Sequence, residues 1–320
     1  MMTTTTTTDS GAKAATPSDA RKKRGVRGDN QNNRGRRIDP AFIWMTVPAA
    51  AVFTVLLTIP LLTGFFYTFT NSKGYGDWHF VGLTNYKNLF TDDIIWGSYL
   101  FTFKYAIVAS LLTNLIALGL ALLLNSRIKA QSLLRGVFFV PYVLPVLVVS
   151  YIFSYLFTNN LPAIGQALGW EWLSTSLLAN EDLAWLAIVL VGVWQAVAYN
   201  TIIYLAGLQT VPDEIYEASA LDGAGPVRRL WSMTLPLIIP YMGINMVLSF
   251  KGFLGVFDQI VALTSGGPGT ATQSISYLIF TNGFQGGEYA YQTANGIIYF
   301  LIVVLLSFAQ LRFTQSQERV

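Results

Sequence analysis

Apolar residues along the 320-residue chain gather into six long runs, near 41–69, 99–124, 136–157, 183–207, 235–263 and 294–311. A helix needs ~20 mainly apolar residues to cross the hydrocarbon of a bilayer, and each run is near or above that length. The pattern predicts an all-α integral membrane bundle of six transmembrane helices over residues 41–315, preceded by an arm at 1–40 and followed by a short tail at 316–320. Pro48 and Pro60 interrupt the first run, and Pro141 and Pro145 the third. Such breaks are tolerated where a neighbouring helix or water satisfies the carbonyls they release.

One stretch departs from this apolar rhythm. Thr210 to Pro240, TVPDEIYEASALDGAGPVRRLWSMTLPLIIP, is a charged island between the fourth and fifth runs. Thr210 followed three residues later by Asp213 resembles a capping box, with Pro212 in the first turn, so a short helix is expected to begin there. Gly223 and Gly225 accept backbone conformations closed to other residues, and Pro226 suits the start of a second helix, which ends the first near Asp222. A carboxylate at a helix C-terminus is unfavourable by roughly 0.3–1 kcal/mol, so Asp222 calls for a nearby cation, Arg228 or Arg229. A docking helix needs small residues for close approach and a charge to orient it. Ala218, Ser219, Ala220 and Ala224 offer the small surface, Ile215, Tyr216 and Leu221 apolar contacts, and Glu217 the charge.

Hydrophobic residues make up 53% of the chain and charged residues 12%, a balance that points away from a pair of soluble domains and towards the bilayer as solvent. The net charge of +3 does not indicate nucleic acid, because nine of the Lys and Arg side chains lie in the first forty residues and most others in short loops. That arm, opening with six threonines, reads as disordered, with its cations acting on lipid headgroups or on topology. Arg127, Lys129 and Arg135 mark the second loop, Arg228 and Arg229 the fourth, and Arg312 and Arg319 the C-terminus, whereas the odd-numbered loops hold only Lys73 and Lys87. The positive-inside rule then puts both termini and the charged island in the cytoplasm.

Glu217-Ala218-Ser219, three residues, Gly223, nine residues and then Met233-Thr234-Leu235-Pro236 resembles the EAA loop of ABC importer permeases. Ser219 and Met233 are departures from that pattern, each small or apolar like the residue it replaces. The resemblance implies that 210–236 is the coupling loop, with Glu217, Ala218, Ser219, Asp222, Gly223, Ala224 and Pro236 as its coupling residues. It further implies a second related permease, two ATPase subunits that hold ATP and Mg, and an extracytoplasmic binding protein, all at a bacterial cell membrane. This chain itself would bind no cofactor and hydrolyse nothing. Closure of the ATPase pair would pull on the helix at Glu217 and drive alternating access.

Lys251 and Asp258 interrupt the fifth run, and Lys104 lies near the start of the second. Charge at membrane depth costs about 2.5–3.5 kcal/mol on insertion scales, so such residues usually face a partner or a watery path. A spacing of seven residues is about two helical turns, which would put Lys251 and Asp258 on nearly one face. With Asn245, Ser249 and Gln259 beside them and Phe250, Phe253 and Phe257 interleaved, the track suits a sugar, whose hydroxyls pair with polar groups while its C–H faces stack on rings. A structural ion pair is the alternative. Phe257-Asp258 and Leu263-Thr264-Ser265-Gly266-Gly267-Pro268 resemble the FD and LT-x-GGP pattern of the carbohydrate-uptake branch, the MalF/UgpA-like sugar permeases. An ion-coupled secondary transporter, or an ABC permease for amino acids or peptides, are the rival functions.

Other chemistry is thin. The chain has no cysteine and one histidine, His79, which leaves no thiolate site and no second imidazole for a metal. Gly266-Gly267-Pro268-Gly269 lacks the following Lys-Ser/Thr of a phosphate cradle and reads as a turn. Asp92 or Asp93 is expected to cap the segment that follows. The stretch from Asn159 to Asp182 is long enough for an external helix or lid.

Overall fold

The computed structural model describes residues 40–126 and 131–317. The basic arm, Arg127, Lys129 and the last three residues lie outside the described residues. Two compact units divide the chain, Met1–Val55 and Leu56–Val320. The first contributes α1 (Pro40–Phe53), which carries Pro48 inside the helix and keeps Trp44, Met45, Val52 and Phe53 exposed.

The second unit begins with α2 (Ile59–Tyr67), and α3 (Thr84–Leu89) leads into the long α4 (Asp93–Asn125). Next come α5 (Gln131–Val143), α6 (Val146–Tyr155), α7 (Leu161–Leu168) and α8 (Ala184–Leu208). The charged island forms α9 (Asp213–Leu221) and α10 (Pro226–Arg229), followed by α11 (Leu235–Leu237) and α12 (Ile239–Leu254). The chain closes with α13 (Asp258–Leu263), α14 (Ile275–Phe280) and α15 (Tyr289–Gln317). Among the described residues the only β pairing is one isolated bridge between Thr70 and Phe80.

Five helical stretches are long and apolar enough to cross a membrane: Trp44–Tyr67, Asp93–Asn125, Val146–Leu168, Ala184–Leu208 and Tyr289–Gln310. A sixth arises if Pro226–Leu237 and Ile239–Leu254, bent by 69°, count as one broken span. Five of the expected runs overlap these stretches, with altered boundaries, and the fifth run corresponds to the bent pair. The second begins at Asp93, where the Asp92 carboxylate accepts hydrogen bonds from Ile94 N at 3.0 Å and Ile95 N at 3.3 Å and so caps the helix. The third is displaced: α5 ends at Val143 and the span-length stretch runs from Val146 to Leu168, so the connection to α8 is shorter than Asn159–Asp182 and holds two single 3₁₀ turns. The fifth is not a continuous helix, since it bends at Ile238 and stops at Leu254.

The core of the second unit is the packing of α4 against α8 and α12. Ala106, Ala109, Ala117 and Ala121 of α4 are fully buried, and small side chains let neighbouring backbones approach closely where no hydrophobic force separates helix from lipid. A buried polar network joins all three helices. Tyr204 Oη donates to Asn114 Oδ1 at 2.7 Å, Asn114 Nδ2 donates to Ser249 Oγ at 3.2 Å, and Ser249 Oγ donates to Asn200 Oδ1 at 2.8 Å. Asn245 Nδ2 donates to the Asn200 carbonyl at 3.1 Å. Five polar side chains thus fix the register of the bundle in a setting where each would be costly alone.

Candidate functional site: a coupling helix and a cavity at the helix break

The charged island folds largely as its turn residues require. Helix α9 ends in a Schellman motif: Ala224 N donates to Ser219 O at 2.9 Å, Gly223 N donates to Ala220 O at 3.1 Å, and Gly223 takes φ +73°. Pro226 then opens α10, and Arg229 Nε donates to the Ala224 carbonyl at 2.9 Å, which braces the bend. Two details differ from the sequence expectation. Thr210 does not cap α9, because its hydroxyl is spent on the Gly207 carbonyl at 2.7 Å, at the end of α8, and Pro212 holds the N-cap position with no side-chain bond. Asp222 has no ion pair with Arg228 or Arg229 among the described residues, since the Arg229 guanidinium is directed to a backbone carbonyl instead.

Helix α9 has two unlike faces. Ser219 and Ala224 are buried, with Ser219 Oγ donating to the Tyr216 carbonyl at 2.8 Å, so they are packing residues and not part of an outward small-residue surface. Tyr216 Oη shares a hydrogen bond with Thr234 Oγ1 at 3.2 Å, tying α9 to the segment that leads into α12. Glu217, Ala218, Ala220, Asp222, Gly223 and Pro236 are exposed, and Leu221, Val227 and Trp231 stand outward at 90%, 70% and 68% exposure. Gly207 lets the ring of Tyr241 approach α8, since a Cβ there would meet Tyr241 Cγ at 2.6 Å.

The residues expected to line a substrate path are dispersed. Lys251 lies in the last turn of α12, which stops at Leu254, and Asp258 begins α13, with Gly255, Val256 and Phe257 between the two helices, so the two charges do not share a helical face; both are exposed. Phe257 packs on Phe280 with ring centroids 5.3 Å apart. Asn245 is buried in the polar network. Ser249, Phe253 and Gln259 do meet, in a cavity of about 410 Å³ that Tyr142, Gly192, Gln195, Tyr199 and Asn200 also line.

This cavity is built on the break in the third run. Pro145 has no N–H to give the Pro141 carbonyl, and Gln195 Nε2 takes that place, at 3.4 Å from Pro141 O and 3.4 Å from Leu144 O. Because both neighbours are acceptors, the amide nitrogen has to face them. Tyr142 and Tyr199 stack across the break with centroids 5.0 Å apart and rings 18° from parallel. Among the described residues no charged side chain lines the cavity. Aromatic faces beside neutral amides and hydroxyls suit a ligand that is apolar on its faces and rich in hydroxyls at its edges. Gln195, Asn200 and the two tyrosines are legible in the sequence only as polar or aromatic interruptions of an apolar run.

Among the described residues no group of three or more His, Asp or Glu could hold a metal ion. Residues 113–319, more than half of the chain, match the family described as binding-protein-dependent transport system inner membrane component. The chain is 39% identical over 269 residues to the multiple sugar-binding transport system permease protein MsmF of Streptococcus mutans, covering 82% of this chain and 91% of that protein. Its fold is similar to a chain of a bacterial ABC transporter involved in the import of the acidic polysaccharide alginate, with TM-score 0.75, 19% identity, and coverage of 87% of this chain and 96% of that one. A second structure of a bacterial alginate ABC transporter, in complex with an alginate pentasaccharide-bound periplasmic protein, gives TM-score 0.72 at 20% identity, covering 85% of this chain and 93% of that one.

Proposed function

The chain belongs to the family of binding-protein-dependent transport system inner membrane components, and from that premise we propose that it is a permease subunit of an ATP-driven importer whose cargo is a sugar. The observation that carries the reading is the two-faced α9. Its outward side presents Glu217 and Leu221, while its inward side is bonded through Tyr216 and Thr234 to the segment that leads into α12, the helix that reaches Ser249 and Phe253 at the cavity. A partner that moves α9 therefore moves a wall of the cavity.

In this reading both termini and α9 face the cytoplasm, where α9 docks on an ATPase subunit. A second, related permease completes the pathway, two ATPase subunits hold ATP and Mg, and an extracytoplasmic binding protein delivers the cargo. Supporting the sugar are the uncharged, aromatic lining of the cavity and the multiple-sugar transport role named for the Streptococcus relative. A binding protein as the source is supported by the family description and by the alginate importer's bound periplasmic protein.

Because the chain has no cysteine, a single Glu217→Cys variant gives a labelling site without background. In inverted membrane vesicles a membrane-impermeant maleimide is expected to modify it, and a cross-linker is expected to join it to a nucleotide-binding subunit. Labelling only from the external side of intact cells would remove the coupling role.

A further inference from the structure

Beside the cavity, one buried hydroxyl of the core is left unpaired. Tyr105, in the first half of α4, is fully buried, and among the described residues its Oη has no hydrogen-bond partner. Its ring stacks on Phe101, with centroids 6.2 Å apart and planes 14° from parallel, and meets Phe253 edge to face at 5.6 Å. Gly192 of α8 closes a third side, since a Cβ there would collide with Tyr105 Oη and lie 3.3 Å from Phe253 Cε1. Gly192 and Phe253 both line the cavity of about 410 Å³, so the hydroxyl lies directly behind its wall.

Packing accounts for the ring of Tyr105 but not for its oxygen. Phenylalanine would make the same ring contacts, whereas a hydroxyl left unpaired in an apolar interior destabilises the fold. The side chains around it cannot help: Phe101 and Phe253 are hydrocarbon, and Gly192 has none. A second unpaired atom stands on the same wall. Gln195, about one turn along α8 from Gly192, is 6% exposed, gives its Nε2 to the carbonyls at the helix break, and leaves Oε1 without a partner among the described residues. Unpaired buried polar atoms are few in folded proteins, and two on one cavity wall call for a common explanation. Of the groups that cover Tyr105 Oη, Phe253 is the one carried by α12, the wall that α9 moves in the reading above.

We propose that Tyr105 is a cargo-reading residue, whose hydroxyl bonds a hydroxyl of the saccharide when α12 swings Phe253 away from it. The proposal rests on the sugar-import reading and adds to it a contact on α4, a helix from which no described residue lines the cavity. Because the bond forms only in the swung arrangement, a saccharide that makes it favours that arrangement over the present one. Cargo and motion are thereby linked through a single oxygen.

The test uses the complete transporter in vesicles, with its binding protein saturating and glucose, trehalose, raffinose and maltotriose as probes. Tyr105→Phe removes the oxygen and keeps the ring. Uptake of whichever saccharide the unaltered complex imports should fall about fivefold, the equivalent of one net hydrogen bond, and stimulation of ATP hydrolysis by that saccharide should fall with it. The thermal midpoint of the purified, saccharide-free complex should stay the same or rise, because the variant sheds an unpaired polar group. An unchanged uptake rate would overturn the contact and leave the sugar reading standing. A fall in uptake that comes with a lower midpoint, or with an equal fall in ATP hydrolysis measured without saccharide, would make the hydroxyl a structural group and overturn the contact as well. Import of none of the four by the unaltered complex would overturn the sugar reading and the contact together.

Discussion

Gln195 supplies the hydrogen bond that Pro145 cannot: its Nε2 lies 3.4 Å from the carbonyl of Pro141, whose helical partner would have been the N–H four residues on. A side chain from α8 therefore holds open a break between α5 and α6, and the break is one wall of the cavity. Gln195→Leu keeps the approximate volume and leaves both carbonyls without a donor. It should destabilise the purified complex by about 1–3 kcal/mol, read as a lower thermal midpoint in detergent, and an unchanged midpoint would show that the bond is not needed.

Gly223 offers a test of the α9 turn. With φ at +73° it occupies a region that Asn enters at modest cost and β-branched residues enter poorly. Gly223→Asn should retain coupling, whereas Gly223→Val should cost about 1–2 kcal/mol locally and lose cargo-stimulated ATP hydrolysis by the assembled complex. Equal stimulation in the two variants would mean that the turn's geometry is irrelevant to coupling.

The hydrogen bond between Tyr204 and Asn114, at 2.7 Å, crosses from α8 to α4 inside the network. A double-mutant cycle with Tyr204→Phe and Asn114→Ala should give a coupling energy between about 0.6 and 1.7 kcal/mol, the average and the maximum for interhelical bonds in a membrane protein. Strict additivity of the two single changes would place the network's value elsewhere.

Close packing at Gly207 makes a prediction of the opposite kind, an added atom that harms. A Cβ there would meet the Tyr241 ring at 2.6 Å. Gly207→Ala should destabilise by about 1–3 kcal/mol through overpacking, and Tyr241→Leu in the same chain should relieve most of the loss. Thermal midpoints of the single and double variants measure both.

Local turn chemistry made much of this architecture legible in the sequence. Gly223 and Pro226 placed the α9 bend, and of Asp92 and Asp93, both expected as caps, Asp92 is the one that caps, at a helix start six residues before the apolar run at 99; each acts on backbone groups within a few residues. Thr210 misled for an equally local reason, since the end of α8 competes for its hydroxyl and wins. Apolar runs located the five span-length stretches and the bent pair but not the stop at Leu254, where Gly255 caps the end of α12. Lys251 and Asp258 lost their shared face at that stop. The cavity was hidden for a different reason: its wall comes from α5, α8 and α12, and only tertiary packing brings Gln195 to Pro141 and Tyr142 to Tyr199.

The 69° bend at Ile238 has a mechanical corollary. A straight rod would transmit an axial push from Arg229 to Ser249 as a piston stroke, shifting every side chain along the membrane normal by the same amount. An elbow turns that thrust mostly sideways, so the limb beyond it swings like a crank arm, with the least travel near Ile238 and the greatest at Phe253.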